Sequence, residues 1–296
     1  MAQQVAGEVR SDWVRVMPAV FVLLWSTGFI GAKFGLPYAE PFTFLLLRML
    51  AVAALLGLVA LVTRAPWPRS WRLAGHIAVA GLLVHAVYLG GVFFAISQKV
   101  PAGITSLIVG IQPLLTAALS GWLLGERVSA RQWGGLLLGL VGVGLVVSEK
   151  ITAGTGSAFG LGAAVAALVG ITLGTLYQKR HCTGMDLRTG ATIQYAATAV
   201  AFAVIAPLTE SMRVQWTGEF VFALTWLTLV LSVGAIFLLF ALIRRGAAAR
   251  VASLFYLTPP VTAVVAWAMF DERLGAVALA GMAMTVVGVA LVNRSA

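Results

Sequence analysis

The sequence predicts an all-α integral membrane protein whose ten transmembrane helices form two inverted five-helix repeats. Three observations predict it: a charge-poor composition, apolar runs of spanning length from end to end, and one phrase written twice, half a chain apart. Of the 296 residues, 60% are hydrophobic and only 10% charged, whereas soluble proteins carry roughly 25% charge. Most of the surface therefore faces something other than water. Runs of about twenty apolar residues match a hydrocarbon layer about 30 Å thick, and no polar stretch is long enough to build a domain outside it. The single cysteine, Cys182, rules out an internal disulfide and any Cys-based metal cluster. No cofactor is expected. The first apolar run follows Arg10 and Arg15 as in a signal peptide, but no small-x-small cleavage pattern follows it.

The ten segments are drawn at 14–34, 42–63, 73–96, 102–124, 132–148, 158–178, 190–208, 220–243, 251–270 and 275–293. Breakers separate them, among them Pro37, Pro41, Pro66, Pro68, Pro101, Gly154, Gly156 and Gly246. Small residues four apart, Gly31 with Gly35 and Gly135 with Gly139, suit close helix approach. The stretch GLVGVG at 139–144 resembles a nucleotide loop, but it lies inside an apolar helix with no strand before it. With the N-terminus in the cytoplasm, fourteen Lys and Arg fall on the inner side and five on the outer, with Arg48 inside a span. That asymmetry places both termini inside. The net charge of +10 is then mostly a topology signal, and nucleic acid is not expected as a partner.

Residues 111–146 and 257–292 align without gaps, and twelve of thirty-six positions are identical. They include Pro113/Pro259, Thr116/Thr262, Glu126/Glu272, Arg127/Arg273 and Gly135/Gly281. The organisation that follows is a cytoplasmic segment 1–13, a first repeat 14–148, a linker 149–157, a second repeat 158–293 and a tail 294–296. Because five is odd, successive five-helix units enter the membrane from opposite faces, an arrangement that recurs in transporters whose halves exchange conformations.

The segments LLWSTGFIGAKFG in helix 1 and PFTFLLLRMLAVA in helix 2, with the two P-x2-T-A…E-R…G phrases, resemble the EamA-type transporters of the drug/metabolite transporter superfamily. The resemblance covers essentially the whole chain. It implies a bacterial-type inner-membrane protein, and it implies that helices 1, 3, 4, 6, 8 and 9 surround a central cavity while helices 5 and 10 form outer scaffold.

Several residues are candidates for function. Glu126, Arg127, Glu272 and Arg273 are read as ending one helix and starting the next, with gating as the alternative, and Ser129 and Gln132 have capping-box spacing. Arg48, roughly 9 Å from the outer end of its span, is read as snorkelling or bonding between helices, with substrate contact as the alternative. Pro113 and Pro259 are structural candidates that interrupt their helices. Thr105, Val109, Gln112, Thr116 and Ser120 make a polar stripe on helix 4, matched on helix 9 by Phe255, Thr258 and Thr262. Gln112, Thr116, Phe255, Tyr256 and Thr258 are candidate cavity residues. So are His85 and Tyr88 on helix 3, Trp25 and Phe29 on helix 1, and Tyr177 on helix 6. Trp13, Trp67, Trp71, Trp133 and Trp216 lie near span ends and fit an interfacial belt.

No Asp or Glu falls inside any predicted span. Small multidrug relatives use an intramembrane glutamate to exchange an organic cation for protons, so the expected substrates are neutral or zwitterionic solutes such as amino acids or related compounds. Drugs or lipid-like solutes are the alternative. A membrane-embedded enzyme is disfavoured, because no span holds the carboxylate that a nucleophilic or metal site would need. A receptor or scaffold has no evident use for two-way symmetry. The expected partners are a small-molecule substrate and membrane lipid, with the chain a monomer or homodimer.

Overall fold

The computed structural model describes residues 16–28, 31, 34–100, 102–148, 157–261, 264–265 and 275–294. Within them the chain is helical, and eight helices are long and apolar enough to cross a membrane. They are α2 (Pro41–Val62), α3 (Trp71–Ser97), α4 (Leu107–Leu124), α5 (Ala130–Ser148), α6 (Ala158–His181), α7 (Leu187–Thr209), α8 (Gly218–Arg245) and α10 (Ala276–Asn293). The shorter α1 (Val16–Gly28) precedes them. The segment read at 251–270 is broken where it is described. A short helix Ala248–Ser253 and a 3-10 turn Leu254–Leu257, together α9, lead into a helical turn from Thr258. Phe29, Thr262, Glu272 and Arg273 lie outside the described residues, as do 1–13 and most of the 149–157 linker.

Helix ends are written in local chemistry. Ser70, Ser157, Asp186 and Thr217 each accept a backbone N–H at the start of α3, α6, α7 and α8, satisfying donors that have no partner within the helix. Gly125 ends α4 in the left-handed region at φ 69°, where glycine carries no Cβ penalty. Four residues on, Ser129 and Gln132 form a reciprocal capping box. Ser129 N–H donates to Gln132 Oε1 at 2.9 Å, and Gln132 N–H donates to Ser129 Oγ at 3.3 Å. Ser129→Ala is expected to cost about 1 kcal/mol, read as a small fall in Tm of the purified protein. The start of α2 is capped from a distance. Glu210, at the end of α7, accepts from the backbone N–H groups of Phe42 and Thr43, each at 2.7 Å, and favours the positive end of the α2 dipole. Glu40 returns the tie by accepting from Ser211 N–H at 2.7 Å.

Equivalent helices of the two halves pack on each other. Residues 42–43 of α2 meet 210 beyond α7, while Thr63 at its other end accepts from Arg188 at 2.9 Å, so α2 and α7 run antiparallel. In α5 and α10 the crossing is backbone on backbone. A Cβ on Gly135 would lie 2.6 Å from the Gly288 carbonyl, and one on Gly142 would lie 2.6 Å from the Gly281 carbonyl. The reverse contacts, Gly288 to Gly135 and Gly281 to Gly142, have the same 2.6 Å value. Shifting either residue pair by 146 positions generates the other, so α5 and α10 also cross antiparallel about a local two-fold relation. The outer surface is apolar: Leu61, Val62, Trp122, Phe159 and Leu208 are each exposed, as a lipid-facing wall requires. Trp71 and Trp216 are exposed near helix ends, in keeping with a belt.

Two interruptions shape the centre. The middle of α3, Leu82–Leu89, and the middle of α8, Leu227–Ala235, are wound as π-helix. These stretches correspond almost residue for residue under the same shift, and π turns widen a helix and expose backbone where function needs it. The second interruption is a turn at Gly110 and Ile111, which splits α4 before Pro113, at the first turn of the second piece. The 3-10 turn before Pro259 is its counterpart in α9.

Candidate binding cavity

Two adjoining cavities lie among these interruptions and share the wall residues Trp25, Tyr88, Val92 and Ile96. The first, of about 680 Å³, is bounded by the π stretches of α3 and α8 and by Arg48 of α2 and Tyr195 of α7. The His85 ring stacks on Tyr195 with centroids 4.4 Å apart. Arg48 Nε donates to Ser232 Oγ at 3.1 Å, and Tyr195 OH donates to the Ser232 carbonyl at 3.3 Å. Arg48 is 4% exposed. It bonds between helices and faces a cavity, and it does not snorkel to the surface.

The second cavity, of about 620 Å³, lies where α4 and α9 break. Its wall includes Val109, Gly110 and Gln112 from the first half and Phe255, Tyr256 and Thr258 from the second, which are equivalent pairs under the 146-residue shift. Trp25 meets Phe255 edge to face at 5.1 Å, and Phe21 meets the same ring at 5.4 Å. The buried Gln112 donates through Nε2 to Thr116 Oγ1 at 3.3 Å. Its Oε1, the Tyr256 hydroxyl and the Thr258 hydroxyl are buried with no hydrogen-bond partner among the described residues. An unpaired buried polar atom costs about 1–3 kcal/mol. Three on one wall suit a surface that a polar solute or water satisfies.

A smaller cavity of about 250 Å³ continues from Gln112 and Phe255 toward Lys179 and Ala248. It ends at a latch. Glu126 pairs with Lys179 at 2.5 Å and accepts the Ala248 N–H at 2.8 Å, while Lys179 also donates to the Gly246 carbonyl. Glu126 thus joins α4 to α6 and caps α9, beyond the local helix-end role read for it. Arg127 beside it is exposed.

The structure therefore brings Trp25, His85, Tyr88, Gln112, Phe255, Tyr256 and Thr258 to the cavities, with Pro259 in the wall. It does not bring Tyr177 or Thr116. The hydroxyl of Tyr177 bonds His76 Nδ1 at 2.6 Å, and its ring lies beside His181. Ile171, six residues earlier, lines the second cavity, and six residues of α-helix turn the side chain to a different face. Thr116 is buried one turn beyond Gln112, its oxygen taken by that side chain. Sequence reasoning missed Tyr195, Ser232 and the contribution of helices 2 and 7. One signal was available: Arg48 shifted by 146 residues is Gln194, a second polar residue inside a span and next to Tyr195.

A multi-pass helical bundle with repeat-related breaks around an internal cavity defines the class of membrane transporters. The model of the EamA-like transporter family matches residues 16–148 and again 158–294. The chain belongs to that family, within the drug/metabolite transporter superfamily. It is 30% identical to "Uncharacterized transporter YvbV" of Bacillus subtilis over 93% of this chain and 90% of the relative. It is 23% identical to "Probable amino-acid metabolite efflux pump" of Escherichia coli over 92% of each. A crystal structure 21% identical in sequence superposes with a TM-score of 0.79 over 95% of this chain and 97% of the other, a likeness of fold.

Proposed function

We propose that the protein exports small neutral or zwitterionic metabolites, amino acids or related compounds, across the inner membrane by alternating access. Ten spans in two inverted five-helix repeats, with both termini cytoplasmic, would rock about the second cavity. The observation that carries this reading is the composition of that cavity, whose wall pairs Val109 with Phe255, Gly110 with Tyr256 and Gln112 with Thr258. A site on a local two-fold can present the same groups to either side as the halves exchange shape. The name of the Escherichia coli relative supports an amino-acid-derived substrate. No carboxylate stands in the cavity walls among the described residues, which argues against exchange of organic cations for protons.

Efflux and counterflow of labelled solutes from vesicles containing the purified protein test the reading. Saturable movement of amino acids or their derivatives supports it, while movement of drugs or lipid-like solutes alone would replace the substrate class. Gln112→Ala and Trp25→Ala are expected to lower transport roughly tenfold or more, the effect of about 1.4 kcal/mol of lost contact, with folded protein retained in the membrane. Normal transport by both variants would remove the cavity assignment. Orientation is testable by cysteine labelling. Cys182 is 1% exposed and burial pushes its thiol up to about 11, so background reaction is low. Cysteines placed at 126 and 272 are expected to label from opposite faces.

A further inference from the structure

The first cavity is lined by a cation that meets no counter-charge among the described residues. Arg48 is buried in mid-span, and its one hydrogen bond among the described residues runs from Nε to the neutral Ser232 hydroxyl. Every described carboxylate is engaged elsewhere. Glu126 pairs with Lys179 and Asp186 with Arg188. Glu210 caps α2, Glu40 binds Ser211, and Glu219 accepts from Tyr38. None of the five lines a cavity. A buried guanidinium wants an anion or a full set of acceptors, and its planar fork fits a carboxylate with two parallel hydrogen bonds. The surrounding wall, with Trp25, Tyr88, Phe93, Tyr195 and Leu231, is apolar and aromatic.

We infer that Arg48 is the docking point for the carboxylate of the transported solute, and that the substrates are carboxylates with an apolar or aromatic body. This deepens the export reading proposed above and rests on it. The solute supplies the negative charge that the described wall omits. An amine on the same solute has no carboxylate to meet among the described residues of either cavity. It finds the aromatic faces of Trp25 and Tyr88 and the unpaired Gln112 Oε1 instead. Zwitterions and monoanions are therefore accepted, and cations without a carboxylate are rejected. Ser232 and Tyr195 are positioning residues: the serine hydroxyl fixes the guanidinium plane, and the tyrosine holds the serine backbone.

The test compares solutes of one body and different head groups: phenylacetate, phenylalanine, phenylalaninamide and phenethylamine. Binding to purified protein is read by thermal shift and calorimetry, and movement by flux from vesicles. The two carboxylates are expected to bind roughly tenfold or more tightly than the amide and the amine, the scale of a charge-assisted bidentate pair. In Arg48→Met that preference is expected to disappear while the protein stays monodisperse with an unchanged or raised Tm, since an unpaired buried charge has been removed. Arg48→Lys, which keeps the charge and loses the fork, is expected to retain only part of the preference. Should Arg48→Met fail to fold, the Arg48→Lys and Ser232→Ala variants read the same head-group ratio. Equal binding of all four probes, or failure of the two carboxylates to bind, overturns the inference even where the amide and the amine are carried. So does a preference unchanged in the Arg48 and Ser232 variants that fold. Carboxylate preference without flux upholds the site and overturns the carrier reading instead.

Discussion

Gly142→Leu is expected to abolish folding, and Gly281→Leu to do the same. The α5–α10 crossing has no room for a side chain at either position. A Cβ on Gly142 would lie 2.4 Å from Thr285 Oγ1 and 2.6 Å from the Gly281 carbonyl, and one on Gly281 would lie 2.6 Å from the Gly142 carbonyl. The obstructing atoms are largely backbone, so relief requires moving a whole helix. Lipid offers little compensation, because helices in a bilayer associate through close packing without a hydrophobic drive between them. Even Gly142→Ala should cost about 1–3 kcal/mol by overpacking, visible as a lower Tm and a broadened elution profile in detergent. Gly144, two residues away, is the control. A Cβ there meets only Leu107 Cδ1, at 4.0 Å, and alanine is the better helix former by about 1 kcal/mol. Gly144→Ala is therefore expected to leave Tm unchanged or raise it. Equal losses at 142 and 144 would mean that the crossing is not where the halves are held.

That crossing was half legible in the sequence. The repeat register aligned Gly135 with Gly281 and flagged small residues, but it could not say that each glycine lies on the far glycine of the other copy. The eight described spans and the Ser129–Gln132 cap were legible because hydrophobic length and Ser-x-x-Gln spacing are local signals. Faces were not. In lipid the outside of a helix is as apolar as its packed inside, so no stripe separates them, and only polar residues mark an inner face. That signal located Gln112 and Thr258. It failed for Tyr177, whose polar tip serves His76 near the end of α6. The π-helical middles of α3 and α8 left no composition signal, and they bring Leu227 and Leu231 to the cavity beside His85 and Tyr88. Arg48 was visible as an anomaly. Its meaning was not, because it depends on where the described carboxylates lie and what each already binds.

Glu126→Ala is expected to unseal the narrow end of the cavity chain. In the wild type one carboxylate holds three elements: it pairs with Lys179 of α6 at 2.5 Å, accepts the Ala248 N–H that opens α9 at 2.8 Å, and belongs to the turn after α4. Removing it leaves an ammonium and a helix-start N–H without their acceptor, a loss of about 1.5–3 kcal/mol for hydrogen bonds to a charged group. Water and the Gly246 carbonyl, which Lys179 also contacts, soften the loss. Ala252 lines the small cavity directly behind the latch. A cysteine placed there should react with a membrane-impermeant thiol reagent several-fold faster in the Glu126→Ala background than in the wild type. Glu126→Gln keeps an oxygen for Ala248 but loses the ion pair, so its labelling rate should fall between the two. The pair itself is measured by a double-mutant cycle with Lys179→Ala, in which residues in contact show coupling of about 0.5–3 kcal/mol. If labelling at 252 is the same with and without the Glu126 carboxylate, the latch is a helix cap alone, and the barrier between cavity and solvent must lie instead in the packing of Phe255 and Ile243 around the small cavity.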